Sequence, residues 1–303
     1  KDLDILAYDN YPAGRISPQY SAGVRFTLVR GFMDHFMIME QQAGPGGQTW
    51  LAESPRPGQM SLWAFQAIAH GAEGMVHFRW RTARKGIEQY WYGVLDQDNI
   101  PRERFFEFRK EGCQINRIAG EIKGSRIVSE IAVVKKFDDQ WALEHQHLTT
   151  DVDLDDEHMD IFRAASELKY NIDIISEKAD FKPYRVIFAP HQIMVDSALA
   201  GKIREYVNSG GIYIISAQSA IKGLDNEFTD RPLPVFLDDL FGVRVKGFQC
   251  YKPPSGERNS VLFRDGAKAP VHVWADDTEV TGADTVATWT DDYLKGHPAC
   301  TER

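Results

Sequence analysis

Alternating apolar strands and helices constrain this chain more than any other feature of its sequence. Within its first 123 residues, apolar runs at 3–7, 36–39 and 74–78 predict strands, and helical periodicity predicts helices over 60–70 and 102–122. Strands and helices that alternate at this spacing form parallel βαβ units. Three strands cannot close a barrel. The region is therefore either a small open sheet or the last part of a barrel.

The alternation restarts beyond Lys123-Gly124-Ser125, which predicts one domain over 1–123 and another over 126–303. In the second domain, helices are predicted over 158–169 and 197–208, and parallel strands at 131–134, 172–175, 186–189 and 212–215. This pattern predicts a doubly wound α/β domain with an open sheet. Shorter strand-like pieces, such as 271–274, end the chain. No Gly-x-Gly-x-x-Gly motif supports a dinucleotide-binding role.

Composition and charge exclude several classes of partner. The chain has 44 acidic and 35 basic residues, a formal net charge of -9, which argues against nonspecific nucleic-acid binding. No apolar run approaches the length of a membrane span. Three scattered cysteines support neither a disulfide framework nor a zinc site. The acidic run 151–157 lacks the glycine of a calcium loop and predicts a solvated helix start. We therefore expect no metal, cofactor, nucleic-acid or membrane partner.

The start of the chain bears on localisation. A predicted strand begins almost at once and no methionine precedes it, so the sequence opens in the middle of a fold. We expect a cytoplasmic location, and the missing N-terminus leaves secretion open.

An acidic side chain ends the second predicted strand. Glu40 follows the apolar run Phe36-Met37-Ile38-Met39, and Trp50 follows a glycine-rich loop. In (β/α)8 barrels, catalytic groups stand at the carboxyl ends of strands and on the loops after them. A carboxylate beside an indole suits sugar cleavage, since the anion stabilises positive charge and the indole covers the sugar ring. The alternative interpretation is an ordinary glutamate at a strand end.

Other acids also lie near predicted strand ends. Glycoside hydrolysis with retention needs two carboxylates about 5–5.5 Å apart. Asp9 is equally explained as a turn cap, and Glu53 lies in a proline-rich loop where a surface position is expected. Glu88 precedes the aromatic run Tyr90-Trp91-Tyr92. These aromatics either cover the core or line a sugar pocket, because exposed apolar surface of that size is unusual.

Taken together, these blocks resemble glycoside hydrolase family 42, the bacterial β-galactosidases. Met39-Glu40-Gln41 with Trp50 resembles the seventh-strand site, and Asp9-Asn10-Tyr11-Pro12 the end of the sixth strand. The stretch 62–81 resembles the family as well, and 88–96 resembles its galactose-binding loop after strand eight. Segments 137–143, 210–215 and 232–243 resemble the family's amidotransferase-like domain, which is associated with trimer formation.

The resemblance implies a fold and an activity. The fold is α/β: the last strands, about six to eight, of a TIM (β/α)8 barrel, followed by a doubly wound, amidotransferase-like (flavodoxin-like) domain. The implied activity is hydrolysis of terminal β-D-galactosides by a retaining double displacement, in a homotrimer. Glu40 corresponds to the nucleophile. The implied substrate-binding residues are Tyr11 beside that carboxylate, Trp50 and Phe78 around the sugar, and Glu88 as an acceptor from galactose hydroxyls.

The chain also departs from the family. Where relatives place a histidine in the galactose loop, this chain reads Trp91-Tyr92, and Tyr92 is expected to offer a hydroxyl to the substrate. The first five barrel strands, which carry the acid/base glutamate in the family, have no counterpart here. The 303 residues alone are therefore predicted to be inactive.

Two rival functions belong to other classes. Glutamine amidotransfer is disfavoured because Cys113, Cys250 and Cys300 lie on no nucleophile turn. A non-catalytic assembly module remains the alternative.

Overall fold

The computed structural model describes residues 3–13, 18–47, 51–147, 153–251 and 259–303. Contacts between Cα atoms divide the chain into two compact units, 1–130 with 159–175, and 131–158 with 176–303. The elements are, in chain order, β1 Leu6–Asn10, α1 Pro18–Phe32, β2 Phe36–Gln42, α2 Gln59–Ala69, β3 Ala72–Phe78, α3 Glu103–Ile122, β4 Ile131–Val134, α4 Phe137–His145, α5 Leu154–Glu167, β5 Ile172–Ile175, β6 Val186–Ala189, α6 Ser197–Asn208, β7 Ile212–Ile215, α7 Asp238–Phe241, β8 Val243–Cys250, β9 Asn259–Phe263, β10 Lys268–Val271, β11 Trp274–Val280, β12 Asp284–Trp289 and β13 Pro298–Glu302.

The first unit contains a parallel sheet with the order β1-β2-β3. Spatial order therefore follows chain order, and the carboxyl ends of all three strands meet at one edge. Tyr8 lies opposite Ile38, but the next pair is Asp9 and Glu40, so β2 carries one extra residue, Met39. Strands β1 and β2 extend past the carboxyl ends of the predicted apolar runs, because polar residues at this edge continue the backbone pairing. Asp9 thus belongs to a strand and does not cap a turn.

Helices α1 and α2 cover one face of this sheet. Phe26 of α1 packs with Phe36 and Ile38 of β2 in a buried apolar cluster that also includes Ala67 of α2. Helix α1 was not predicted, and glycines at 23 and 31 weaken its helical pattern. Gly31 is required by close packing, since a Cβ there would lie 1.6 Å from the carbonyl oxygen of Ile174.

The second unit contains the parallel strands β4, β6 and β7, which pair side by side in that order. All three match the predicted strands, and α6 matches its predicted bounds. The Asp196 side chain caps α6 by accepting a hydrogen bond from Leu199 N at 2.8 Å. Helix α5 begins earlier than predicted, at Leu154, because acids in its first turn stabilise a helix start. Helix α4 was not predicted.

Antiparallel pairs end the chain. Strands β10, β9, β12 and β13 form one sheet in that order, and β8 pairs with β11. The predicted strand at 271–274 is wrong, since this stretch joins the end of β10 to the start of β11. Pattern alone did not separate the two strands, because apolar residues run across the junction.

Asp139 in the second unit should make stability depend on pH. Its buried carboxylate lies 3.5 Å from Lys136 Nζ and accepts a hydrogen bond from Met194 N at 3.0 Å. Burial raises the pKa of Asp139 to about 7, against the lowering by Lys136. Between about pH 4 and 7 the folded state therefore keeps a proton that the unfolded state has lost, and stability falls as pH rises, by at most about 4 kcal/mol.

The variant Asp139→Asn isolates this dependence, since it keeps an acceptor for Met194 N but cannot titrate. We expect the free energy of unfolding of the wild type, measured with urea, to fall relative to that of the variant as pH rises from 4 to 7. Parallel stability curves for the two proteins would contradict the assignment.

Candidate functional site at the carboxyl edge of the first sheet

Polar side chains from two neighbouring strands meet at the carboxyl edge of the first sheet. Asp9 and Glu40 are register partners on β1 and β2, and Tyr11 follows the end of β1 directly. Phe78 is the last residue of β3. The sequence separates these residues by almost 70 positions, and the parallel pairing places them at one edge.

Tyr11 holds the Glu40 carboxylate. Its hydroxyl donates a hydrogen bond to Glu40 Oε2 at 2.6 Å, a charge-assisted contact. Burial, and then this bond and the Glu40 charge, raise the pKa of Tyr11 far above its usual value. Tyr11 therefore remains a donor throughout the physiological pH range. Burial and the Glu40 charge also raise the pKa of Asp9.

Buried amides beneath the edge fix the two strand ends. Asn10 Nδ2 donates to Gln41 Oε1 at 2.9 Å, and both side chains are almost fully buried. Gln42 Oε1 accepts from Ala13 N at 3.0 Å, and its Nε2 donates to Gly44 O at 2.9 Å. These bonds tie the end of β1 to β2 and to the loop after it. Sequence reasoning assigned these amides no role, although consecutive polar residues that close a buried strand are a usable signal.

Trp91 joins this site through two edge-to-face aromatic contacts. Its ring centroid lies 4.9 Å from that of Tyr11 and 5.8 Å from that of Phe78, with interplanar angles of 74° and 89°. From the sequence, the neighbouring Tyr92 was expected to be the substrate-binding residue of this loop. The Tyr92 ring lies 5.8 Å from the Arg104 guanidinium carbon. Tyr92 also lines an open cavity of about 320 Å³ with Thr82, Ala83, Arg84, Gln89, Tyr90 and Gln97.

Glu88 is held beside Phe78 by an arginine. Arg79 Nη2 pairs with Glu88 Oε2, and the Arg79 guanidinium carbon lies 4.4 Å from the centroid of the Phe78 ring. The Glu88 side chain remains partly exposed. Sequence reasoning missed the pairing role of Arg79, because nothing in the spacing of residues 79 and 88 predicts it. Trp50 lies outside the described residues.

The described part of the chain holds no group of three or more His, Cys, Asp or Glu side chains arranged for a metal ion. Within the same residues, no helix is long and apolar enough to cross a membrane. The site instead combines a carboxylate anchored by a phenol, a second carboxylate anchored by an arginine, and three aromatic rings. Such an arrangement can bind a polyhydroxylated ring and present a nucleophilic oxygen to it.

Family models match both parts of the chain. A model described as Beta-galactosidase trimerisation domain matches residues 129–303, and one described as Beta-galactosidase matches residues 1–118. Two curated relatives are β-galactosidase BgaA of Clostridium cellulovorans, 31% identical, and β-galactosidase LacZ of Heyndrickxia coagulans, 28% identical. Each alignment covers 99% of this chain but 46% and 45% of the relatives. The chain thus spans about half the length of the curated relatives it matches.

Solved structures are similar over the same extent. A β-galactosidase from Bacillus circulans sp. alkalophilus has a TM-score of 0.93 and 26% identity, covering 99% of this chain and 45% of that one. The β-galactosidase from Halorubrum lacusprofundi has a TM-score of 0.89 and 26% identity, covering 98% and 46%. The predicted fold class, the end of a barrel followed by an α/β domain, is confirmed.

Proposed function

The chain belongs to glycoside hydrolase family 42, the β-galactosidases, and we propose that it forms part of an enzyme that hydrolyses terminal β-D-galactosides with retention. The observation that carries this proposal is the Glu40 carboxylate, anchored by Tyr11 at the carboxyl edge of the sheet. The domain division at 1–123 and 126–303 is part of the proposal, and the family matches at 1–118 and 129–303 support it.

Glu40 is the nucleophile in this proposal. One carboxylate oxygen attacks the anomeric carbon, the bond to the leaving oxygen breaks, and a general acid protonates that oxygen. Water then attacks the galactosyl-enzyme, and release of galactose regenerates the Glu40 carboxylate. Tyr11 restrains Oε2 during attack, so the other oxygen is oriented toward the sugar.

The substrate-binding residues in the proposal surround the same edge. Glu88, fixed by Arg79, accepts hydrogen bonds from galactose hydroxyls. Phe78 and Trp50 contact the apolar face of the ring, and Tyr92 offers a hydroxyl farther along the loop. A site that hydrogen-bonds a hydroxyl rejects analogues that lack it, which gives the site its selectivity.

The 303-residue polypeptide is predicted to be inactive by itself, since none of its residues corresponds to the family's acid/base glutamate. General acid catalysis contributes on the order of 10²–10⁴ in rate. The test compares this polypeptide with the product of the complete reading frame on aryl β-galactosides, with aryl α-galactosides as controls. We expect only the complete protein to hydrolyse the β-anomer, with β-galactose as the first product by NMR. A complete protein without this activity would overturn the proposed function.

Homotrimer formation is the second part of the proposal, and the family model at 129–303 supports it. Sedimentation of the 303-residue chain should give about three times its mass of 34.4 kDa. A monomer at micromolar concentration would contradict an autonomous assembly role. The same result would contradict the alternative function, a non-catalytic assembly module. A cytoplasmic location remains a prediction. The three free cysteines, all among the described residues, suit a reducing compartment.

A further inference from the structure

Asp9 is an exposed carboxylate whose role the fold does not explain. Side chains alternate along β1, so that Tyr8 packs against the apolar cluster of α1 and β2 and Asn10 is buried, whereas Asp9 is exposed on the opposite, open face. Among the residues that the structure describes, none forms a hydrogen bond or an ion pair with the Asp9 side chain. Asp9 therefore adds no polar contact to the fold, although it lies within the candidate site.

The register of the first sheet places this carboxylate beside the proposed nucleophile. Asp9 and Glu40 are register partners, and neighbouring strands lie about 4.8 Å apart, so their side chains stand next to each other. Tyr11, on the same side of the chain as Asp9, donates to Glu40 Oε2 at 2.6 Å, which places all three side chains on the open face. Burial and the Glu40 charge raise the pKa of Asp9, so the two carboxylates interact electrostatically.

Two adjacent negative charges become favourable when a positive charge lies beside them. Like charges this close repel each other, which costs stability in the resting protein. Within the candidate site, the described cation Arg79 pairs with Glu88 rather than with these two carboxylates. The transition state of glycoside hydrolysis resembles an oxocarbenium ion, so the reacting sugar itself supplies positive charge. A fixed carboxylate near the sugar can stabilise that charge through space.

We propose that the Asp9 carboxylate stabilises the positive charge that develops on the sugar ring while Glu40 attacks the anomeric carbon. Glu40 supplies the electron pair of the new C–O bond, and the electrons of the broken bond stay with the leaving oxygen. Asp9 forms no bond and transfers no proton. Because the sugar is charged only in the transition state, Asp9 lowers the barrier without tightening the binding of neutral substrate. This inference rests on the proposed function and deepens it.

The variant Asp9→Asn tests this in the complete protein, because asparagine keeps the size of the side chain and removes only its charge. We expect kcat/KM for an aryl β-galactoside to fall by on the order of 10–100-fold. Inhibition by two sugars identifies the cause of this loss. A galactose-configured iminosugar, which is positively charged when protonated, should bind the variant more weakly by a similar factor. Neutral galactose should bind the wild type and the variant equally well.

A stability measurement and a control variant separate the effect of charge from that of packing. Urea unfolding of Asp9→Asn should show no loss of stability, since the substitution relieves repulsion with Glu40. Asp4→Asn removes an exposed acid that precedes β1 and lies outside the site, so it should leave the rates and both inhibition constants unchanged.

Three results would overturn the inference. They are an unchanged kcat/KM in Asp9→Asn, an equal loss of affinity for the iminosugar and for galactose, and a destabilised variant, which would show that Asp9 serves the fold. The proposed function would stand in each case, since it depends only on hydrolysis by the wild type.

Discussion

Replacing Glu40 with glycine in the complete protein is expected to lower kcat/KM for an aryl β-galactoside by on the order of 10³–10⁶. The loss is large because Glu40 is proposed to form the covalent intermediate. Glu53→Gly is the matched control. Glu53 is exposed in the proline-rich loop after β2, so its removal should leave the rate unchanged.

Azide distinguishes a nucleophile from an acid/base residue. In Glu40→Gly, azide can enter the vacated space, attack the anomeric carbon of an activated aryl galactoside and displace the phenolate. The product of this single displacement is the α-galactosyl azide. A β-galactosyl azide would instead mean that the deleted carboxylate served as the acid/base. Unchanged activity of the variant would remove Glu40 from the mechanism altogether.

Replacing His77 with leucine is expected to destabilise the first unit by about 1–3 kcal/mol, the cost of a buried polar group that loses its polar neighbour. His77 Nε2 lies 3.2 Å from Glu111 Oε1, and their side chains are only 7% and 2% exposed. Neither His77 Nε2 nor Glu111 Oε2 has a hydrogen-bond partner among the described residues. Leucine would therefore remove the polar imidazole beside this buried carboxyl group, and β3 would lose a contact with α3.

Urea unfolding of the single and double variants measures this effect. The double variant His77→Leu/Glu111→Leu should recover most of the lost stability, since it removes the buried carboxyl group together with its polar neighbour. The control pair is His35 and Glu73, whose side chains are 59% and 54% exposed at a distance of 2.6 Å. His35→Leu should change stability by less than about 1 kcal/mol. Equal losses at positions 77 and 35 would show that burial of the pair is unimportant.

The elements predicted to the residue have strong local end signals. Asp196 caps α6, and Gly210-Gly211 separates it from β7, so pattern and turn chemistry agree. Helix α1 lacks such agreement. Its place is set by burial of Phe26 against β2 and by the contact of Gly31 with β5, which are tertiary interactions between distant segments. Local sequence does not encode them, so α1 was missed.

The candidate site likewise contains residues that local sequence predicts and residues that only tertiary contacts reveal. Glu40 could be predicted because a carboxylate at the end of an apolar strand is a local signal. Trp91 could not, since its contact with Tyr11 joins residues 80 positions apart. Choosing between Trp91 and Tyr92 requires knowing which way the loop turns after Glu88, and the spacing of three successive aromatics does not specify that.

The extra residue in β2 decides which way Glu40 faces. Side chains alternate along a strand. If Met39 were paired in a regular register, Glu40 would therefore lie on the same packed face as Phe36 and Ile38. The insertion turns the carboxylate to the open face, beside Asp9. Strand geometry, as much as residue identity, makes this glutamate available to a substrate.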